Sequence, residues 1–241
     1  MVPIKSVKMD ELERWQQRFD EQCVHSPKAC AYLAARHITP EMRLKWGIGY
    51  CKEYTETYKM LYKRLTFPIY DWRGRLVSFA GRTLKSNYPG AKYLALPDSD
   101  QFKKSQQLYG LHYAMATIAK TRVAVVCEGF TDVIGLHDLC GVPNAVGSMG
   151  VAVTVKQIAL LSRWAKLVIV VLDGDAAGAR ATERLKKKLS ESPVTIAYVG
   201  LPTGKDPFDL AIEQGPSFAA ALLKNVDEQR KFNFKITATN M

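Results

Sequence analysis

Four acidic residues stand where their carboxylates could do chemistry together. Glu128 and Asp132 follow one short apolar run rich in Val, and Asp173 and Asp175 follow another rich in Val and Ile. Such runs, each followed by glycine and a helical pattern, predict buried parallel strands. Because ligands collect at the carboxyl ends of parallel strands, we expect the four carboxylates to converge. Converging carboxylates repel unless a cation lies between them, and oxygen-only ligands favour a hard ion such as Mg²⁺, with Mn²⁺ as an alternative.

Helix capping is the alternative explanation for these residues. An acidic residue after a strand commonly caps the next helix, and Asp132 or Asp175 alone is readily explained in that way. With Glu128 and Asp173 added, capping becomes a poor explanation of the whole set. We therefore interpret the set as a metal site.

The composition indicates a globular chain without a membrane segment. It has 241 residues, of which 47% are hydrophobic, enough for one large or two small domains with a core. There is no uncharged apolar run of about eighteen residues, the length that a membrane helix requires, and no signal-peptide pattern. Five cysteines at irregular spacing argue against a disulfide framework. We expect a cytoplasmic protein that does not bind membranes.

The net charge of +11 is concentrated in the first half of the chain. Residues 1–120 contain 20 Lys and Arg against 11 Asp and Glu, a net of +9, whereas residues 121–241 contain 14 against 12, a net of +2. A basic half beside an acidic site suggests a polyanion groove next to a metal. Solubility is the simpler explanation of surface charge, but the charge and the acidic site together favour a nucleic-acid partner.

Cap and turn residues predict the elements that position these groups. Ser26 and Thr39, each followed by proline, predict the starts of two helices. Residues 64–82 predict a β-hairpin with a turn at 71–74. Residues 147–150, which contain two glycines, either expose amides to a phosphate or form a tight turn.

The spacing of the acidic residues resembles the Toprim signature. Glu128 and Asp132 are followed by Asp173, Asp175 and Gly178, a pattern shared by DnaG-type primases, topoisomerases and some nucleases. A second block resembles DnaG-type primases alone among Toprim proteins, with Ala in place of the first glycine of the family's Gly-Gly-Arg. Its motifs are Phe67-Pro68-Ile69, Arg73-Gly74, Phe79-Ala80-Gly81-Arg82, Lys92-Tyr93-Leu94, Phe102-Lys103-Lys104 and Leu108-Tyr109-Gly110-Leu111.

This resemblance implies a site that combines metal ligands with a basic groove. Glu128, Asp173 and Asp175 would be the catalytic residues, with Glu128 as general base or metal-positioning group. The metal ligands would be these three together with Asp132 and Asp206. The groove that binds template backbone or nucleotide would be lined by Arg64, Arg82, Lys92 and Lys104.

The resemblance also implies an activity, that of a DNA primase. Such an enzyme is a nucleotidyltransferase that makes short RNA primers on single-stranded DNA from ribonucleoside triphosphates with Mg²⁺. We expect no zinc, because Cys23, His25 and Cys30 lack the ligand spacing. In the family's Asp-Pro-Asp motif Phe208 replaces the second aspartate, so only Asp206 is carried over. A replicative helicase would be a partner, although we expect its usual binding domain to be absent.

The expected fold class is α/β and α+β, with an N-terminal mixed α+β subdomain packed on a Toprim domain whose central parallel sheet is flanked by helices. The expected domains are an N-terminal helical extension (1–25), a basic α+β subdomain (26–120), the Toprim domain (121–212) and a short helical tail (213–241). Such a chain would be either a catalytic-core fragment or a compact phage or plasmid primase, in the cytoplasm of a bacterium or a phage-infected cell.

Two other functions use the same features. A Toprim nuclease or topoisomerase-like strand cleaver would use the same metal site, but a topoisomerase needs a nucleophilic tyrosine in a further domain. A non-catalytic module that binds single-stranded nucleic acid is disfavoured, because the acidic site would repel its ligand.

Overall fold

The chain divides into two units, Met1–Gln107 and Leu108–Met241, and each contains its own four-stranded sheet. The computed structural model describes residues 9–85, 87–150, 153–174, 192 and 194–224. Asp175 and the helix predicted after it lie outside the described residues. No described helix is long and apolar enough to cross a membrane. The domain boundaries expected after residues 25, 120 and 212 stay predictions.

Capping residues start the two short helices of the first unit. Ser26 Oγ accepts a hydrogen bond from the amide of Ala29 at 3.3 Å, and Thr39 Oγ1 accepts one from the amide of Met42 at 3.2 Å. These bonds satisfy amides that have no partner in the first turn of a helix, and both predicted helix starts are confirmed. The helices of this unit are α1 (Met9–Val24), α2 (Pro27–Ala35) and α3 (Pro40–Trp46).

The first unit contains an antiparallel sheet in the order β1-β2-β3-β4. Asp71 forms the turn of its hairpin, because Oδ1 accepts hydrogen bonds from the amides of Arg73 at 2.9 Å and Arg75 at 3.0 Å. The hairpin predicted for residues 64–82 is confirmed. The strands are β1 (Gly49–Tyr50), β2 (Arg64–Tyr70), β3 (Leu76–Thr83) and β4 (Tyr93–Ala95), with short 3₁₀ turns at Lys59–Leu61 and Lys104–Gln106.

A β-bulge in this hairpin decides which side chains share a face of the sheet. The register shifts by one residue next to Tyr70, which pairs with Leu76. Continued without the shift, this register would pair Arg64 with Arg82 and put both on one face. The bulge instead pairs Arg64 with Thr83, so the side chains of Arg64 and Arg82 lie on opposite faces.

An aromatic cluster packs α1 against the sheet. Phe19 of α1 and Phe79 of β3 are both fully buried, and their ring centroids lie 5.3 Å apart in an edge-to-face arrangement. Tyr58 packs on both rings, and Trp15 lies 4.7 Å from Tyr58. The helical spacing of aromatic residues in α1 is therefore a packing stripe.

The second unit is built on a parallel sheet in the order β6-β5-β7-β8. Its central strands, β5 and β7, are the two apolar runs that predicted buried strands, and the predicted α/β and α+β class is confirmed. β6 begins at Ala145, two residues after Pro143, a residue that has no amide to donate to the ladder. The strands are β5 (Val123–Cys127), β6 (Ala145–Gly147), β7 (Leu167–Leu172) and β8 (Thr195–Gly200). The described helices with defined bounds are α4 (Leu111–Thr121), α5 (Phe130–Asp138), α6 (Val155–Leu161) and α7 (Pro207–Gln214).

Candidate active site

Two of the predicted carboxylates follow adjacent strands of the second sheet. Glu128 comes directly after β5 and Asp173 directly after β7, and β5 and β7 pair in parallel. Neighbouring parallel strands end at the same edge of a sheet, so the structure places the two residues together there. Both residues are half-buried.

Asp132 joins this pair from the first turn of α5. Its Oδ2 accepts a hydrogen bond from the amide of Gly129 at 2.7 Å, so Asp132 is a capping residue as well. The residue is 5% exposed. Burial, followed by the negative charges of Asp206, Asp173 and Glu128, raises the pKa of Asp132 to about 8, although the Gly129 hydrogen bond opposes the shift. Four carboxylates therefore interact at this edge of the sheet.

The thiol of Cys127, the last residue of β5, responds to the same concentration of negative charge. Burial raises its pKa well above the ordinary value of a thiol. The charges of Asp132, Asp173 and Glu128 raise that pKa further. In addition to burial, the same acidic cluster therefore raises the pKa values of two groups, the Asp132 carboxyl and the Cys127 thiol.

The loop before α7 brings the fourth carboxylate to the site. The amide of Gly174 donates to the carbonyl of Lys205 at 3.0 Å, and the amide of Gly204 donates to the carbonyl of Gly174 at 2.8 Å. A Cβ on Gly174 would lie 1.9 Å from the carbonyl oxygen of Pro202, so only glycine permits this approach. This pair of hydrogen bonds holds Asp206 next to the end of β7.

Asp206 caps α7, and Phe208 anchors the same helix in the core. Asp206 Oδ1 accepts a hydrogen bond from the amide of Asp209 at 2.7 Å. Phe208 is fully buried, and its ring lies against Gly135 of α5, where a Cβ would be 2.7 Å from Phe208 Cδ2. At the position where the family has its second aspartate, this chain therefore has a packing residue, and Asp209 is part of the helix cap.

The described carboxylates fit a hard divalent cation. They offer only oxygen atoms, which is the donor set that Mg²⁺ and Mn²⁺ prefer. Capping uses Oδ2 of Asp132 and Oδ1 of Asp206, and the second oxygen of each accepts no hydrogen bond from the described residues. A cation would relieve the repulsion that, together with the larger effect of burial, raises the Asp132 pKa. Within the described ranges, no three or more His, Cys, Asp or Glu side chains are already arranged as a metal site.

The turn after β6 uses its amides inside the protein. The amide of Ser148 donates to the carbonyl of Cys127 at 2.9 Å, and the amide of Gly150 donates to the carbonyl of Glu128 at 2.7 Å. Met149 and Gly150 have positive φ angles of 66° and 75°, as a tight turn requires. Of the two alternatives left by the sequence, the tight turn applies. Its contact with Glu128 was missed, because a glycine pair predicts a turn but not its distant partner.

The predicted basic residues all belong to the first unit but do not share one face of its sheet. Arg64 is buried, and its Nη1 donates to the carbonyls of Ala91 at 3.4 Å and Lys92 at 3.0 Å. Its guanidinium lies 5.0 Å from the centroid of the Tyr88 ring. Arg64 therefore ties down the segment before β4. Because Arg82 points to the opposite face, the sheet does not bring these two arginines together.

The other three basic residues have different surroundings. Arg82 is buried, with its guanidinium between the rings of Tyr32 at 4.6 Å and Tyr93 at 5.3 Å. Lys92 is exposed and Lys104 is half-buried. Burial lowers the pKa of Lys104, and the nearby charge of Asp98 opposes that shift. Their roles in binding stay predictions.

Comparison with known proteins supplies two family matches in chain order. Residues 51–115 match the DNA primase catalytic core, N-terminal domain, and residues 125–211 match the Toprim-like family. The DNA primase of Clostridium acetobutylicum is 32% identical over 226 residues, which cover 82% of this chain and 37% of that protein. The DNA primase of Rickettsia felis is 37% identical over 229 residues, with 82% of this chain and 38% of that protein covered. The chain thus spans less than two fifths of either relative.

Solved structures show the same similarity. The Aquifex aeolicus primase, with zinc-binding and RNA polymerase domains, superposes with a TM-score of 0.80 at 28% identity, covering 90% of this chain and 62% of that one. A DnaG primase catalytic domain bound to single-stranded DNA superposes with a TM-score of 0.78 at 27% identity, covering 90% and 77%. Since both family matches occur in order on a fold that primase cores share, the chain belongs to the DnaG-type primase catalytic cores.

Proposed function

We propose that this chain synthesises short RNA primers on single-stranded DNA from ribonucleoside triphosphates. The observation that supports this most directly is the gathering of four carboxylates at the carboxyl edge of β5 and β7, where burial and then the three neighbouring charges raise the pKa of Asp132. The relative whose catalytic domain is bound to single-stranded DNA supports the choice of template. Strand cleavage is a candidate because it would use the same acidic site. It ranks second because the chain belongs to the primase cores.

The acidic residues would hold Mg²⁺, with Mn²⁺ as the alternative ion. We assign Glu128, Asp173 and Asp175 as catalytic residues, and these three with Asp132 and Asp206 as metal ligands. When bound, the cation would neutralise triphosphate charge and stabilise the phosphate that is transferred. Glu128 would orient the ligand set or accept the proton of the attacking hydroxyl. The turn that binds the Glu128 carbonyl would hold this residue in place.

Arg82, Lys92 and Lys104 would bind the phosphates of template or nucleotide. All three belong to the basic first unit, and Lys92 is exposed to an incoming polyanion. Arg64 stays in this assignment with a second role, since its guanidinium also binds two backbone carbonyls. We further propose action in the cytoplasm, no bound zinc, and a replicative helicase as a partner of the whole protein.

The test is incubation with single-stranded DNA, labelled ribonucleotides and Mg²⁺. Short ribo-oligomers would support the proposed function. A shortened template would support the strand cleaver instead, and neither product combined with tight DNA binding would support a binding module. Repeating the reaction with Mn²⁺ compares the two ions.

Variants of the acidic cluster link the product to the site. Asp173→Asn and Glu128→Gln keep side-chain size and remove one charge, and each is expected to lower synthesis by about 100-fold or more. Asp138→Asn, at the far end of α5, is the matched control and is expected to leave synthesis unchanged. Synthesis by Asp173→Asn at the level of the unmodified protein would refute the site assignment.

A further inference from the structure

Arg82 is a buried cation, and one of its hydrogen-bond donors, the Nε–H, has no acceptor among the described residues. The residue is 9% exposed, and its Nε is fully buried without a hydrogen-bond partner. A guanidinium carries five N–H donors and cannot lose its charge. Buried charges are normally paired, because an unpaired one keeps the full cost of leaving water. An anion bound at Arg82 would therefore offset a cost that the described residues leave uncompensated.

Two tyrosine rings fix the plane of this guanidinium. Tyr93 is the cross-strand neighbour of Arg82 on β4, and Tyr32 reaches it from α2. Ring faces attract a cation but accept no strong hydrogen bonds from its edge. The rings thus orient the guanidinium and leave its donors for a ligand. Arg36 lies 5.9 Å from the Tyr32 ring centroid and adds positive charge to the same place.

The hydroxyl of Tyr32, like the Nε–H of Arg82, lacks a hydrogen-bond acceptor. Tyr32 Oη is buried and makes no hydrogen bond to any described residue. A second arginine of this sheet differs, because Arg64, which lies over the Tyr88 ring, donates to two backbone carbonyls. In the Arg82–Tyr32 pair one guanidinium N–H and one hydroxyl are therefore buried without an acceptor, whereas Arg64 beside Tyr88 already makes two hydrogen bonds to backbone carbonyls.

We infer that Tyr32 is a further phosphate-binding residue, whose hydroxyl donates to the same phosphate group that Arg82 binds. A planar guanidinium suits phosphate because it can make two parallel N–H···O bonds, and a phosphate has further oxygens for a hydroxyl donor. The inference rests on the proposed function, which supplies phosphate in two forms. These are the phosphodiester backbone of single-stranded DNA and the triphosphate of a nucleotide.

Binding measurements on three variants test the inference. Tyr32→Phe removes the hydroxyl and keeps the ring, Tyr32→Leu removes both, and Tyr88→Phe is the matched control beside Arg64. Affinity is measured by fluorescence anisotropy with a labelled oligothymidylate, and by calorimetry with inorganic tripolyphosphate. We expect Tyr32→Phe to weaken one of the two probes by about tenfold, the effect of one hydrogen bond to a charged group. The probe whose affinity falls shows whether the phosphate belongs to the DNA backbone or to a nucleotide.

A double-mutant cycle separates ligand binding from a structural role of the tyrosine. Once Arg82→Lys has lost the bidentate geometry, adding Tyr32→Phe is expected to cost less than about threefold, because both residues bind one phosphate. Full additivity would overturn the inference, as would unchanged affinity of Tyr32→Phe for both probes. An equal loss of affinity in Tyr88→Phe would overturn it too.

The proposed function and this inference are tested by different measurements, primer synthesis for the function and the affinity of Tyr32→Phe for the inference. If the protein makes no primers but its Tyr32→Phe variant loses affinity, the inference is supported and the proposed function is contradicted. If the protein makes primers and its Tyr32→Phe variant binds both probes with unchanged affinity, the proposed function is supported and the inference is contradicted. Thermal midpoints of all variants, measured without ligand, confirm that the compared proteins are folded.

Discussion

Asp71 and Asp132 are both buried carboxylates, and their surroundings move their pKa values in opposite directions. Burial alone would raise the pKa of Asp71, but the hydrogen bonds and charge of Arg75 and the amide of Arg73 outweigh burial and lower it. For Asp132 a single amide donor does not outweigh burial and the charges of three acidic neighbours, and its pKa rises to about 8. The direction of the pKa shift thus distinguishes Asp71, a structural carboxylate with all its partners in place, from Asp132, a carboxylate arranged for a cation.

The depressed pKa of Asp71 predicts a pH-dependent contribution to stability. Since the folded pKa lies below the unfolded value, ionised Asp71 stabilises the fold above about pH 4, and this contribution is lost as the pH falls through the folded pKa. Asp71→Asn should lower the free energy of unfolding by about 1–3 kcal/mol at pH 7. The difference from the unmodified protein should shrink at pH 3 and below.

Urea unfolding at both pH values measures this difference. Asp100→Asn, at an exposed position of the same unit, is the control and should change stability little at either pH. An Asp71→Asn deficit that stays constant down to pH 2 would contradict the role given to the carboxylate charge.

At the scale of elements, the contact between α5 and α7 positions two of the carboxylates. Asp132 lies on α5 and Asp206 caps α7, while Phe208 of α7 fills the space beside Gly135 of α5. The glycine allows the helices to approach closely, and the approach brings the two aspartates into electrostatic contact. A core contact thus sets the geometry of the acidic cluster.

Gly135→Ala tests this contact. Alanine would gain about 1 kcal/mol of helix propensity, but its Cβ would lie 2.7 Å from Phe208 Cδ2 and 3.0 Å from the Ala211 Cβ. We expect a net loss of about 1–3 kcal/mol of stability and weaker Mn²⁺ binding. Adding Phe208→Leu should restore part of the stability. Gly200→Ala, at a position with open space, is the control. Equal stability of Gly135→Ala and the unmodified protein would show that the helices adjust freely.

Local patterns predicted the elements well, and distant contacts account for what they missed. The strands β5 and β7, the hairpin and two helix starts follow from apolar runs, turn residues and caps, each read within a few residues. The opposite faces of Arg64 and Arg82 follow from a one-residue bulge, which reverses faces without changing any strand pattern. Likewise, neither the Gly174 approach to Pro202 nor the burial of Phe208 has a local signal.

At the scale of the whole molecule, the excess positive charge predicts strongly salt-dependent DNA binding. Residues 1–120 carry a net +9 of the total +11. Each phosphate contact on a single strand contributes about 0.7 to the slope of log affinity against log salt concentration. Lys92→Ala and Lys104→Ala should therefore each weaken binding and reduce the slope by about 0.7.

A salt titration of oligothymidylate binding measures these slopes. Lys120→Ala, at an exposed position in the last turn of α4, is the control and should leave the slope unchanged. If all three variants lose equal amounts of affinity, the charge acts as a diffuse field and these two lysines make no specific contact.

From the parallel order β6-β5-β7-β8 we expect the acidic cluster to form late in folding. Tyr70 and Leu76 of the hairpin are six residues apart in sequence, whereas the β5–β7 pair Val123–Leu167 spans 44 residues, 167 minus 123. Closing the longer loop costs more chain entropy before any contact compensates for it, so distant pairing is slow. We expect pulsed hydrogen exchange during refolding to protect β2 and β3 before β5 and β7, and the reverse order would contradict this. On a ribosome, β5 would leave the exit tunnel well before β7, and during that interval the newly made chain would have only β6 to pair with its central strand.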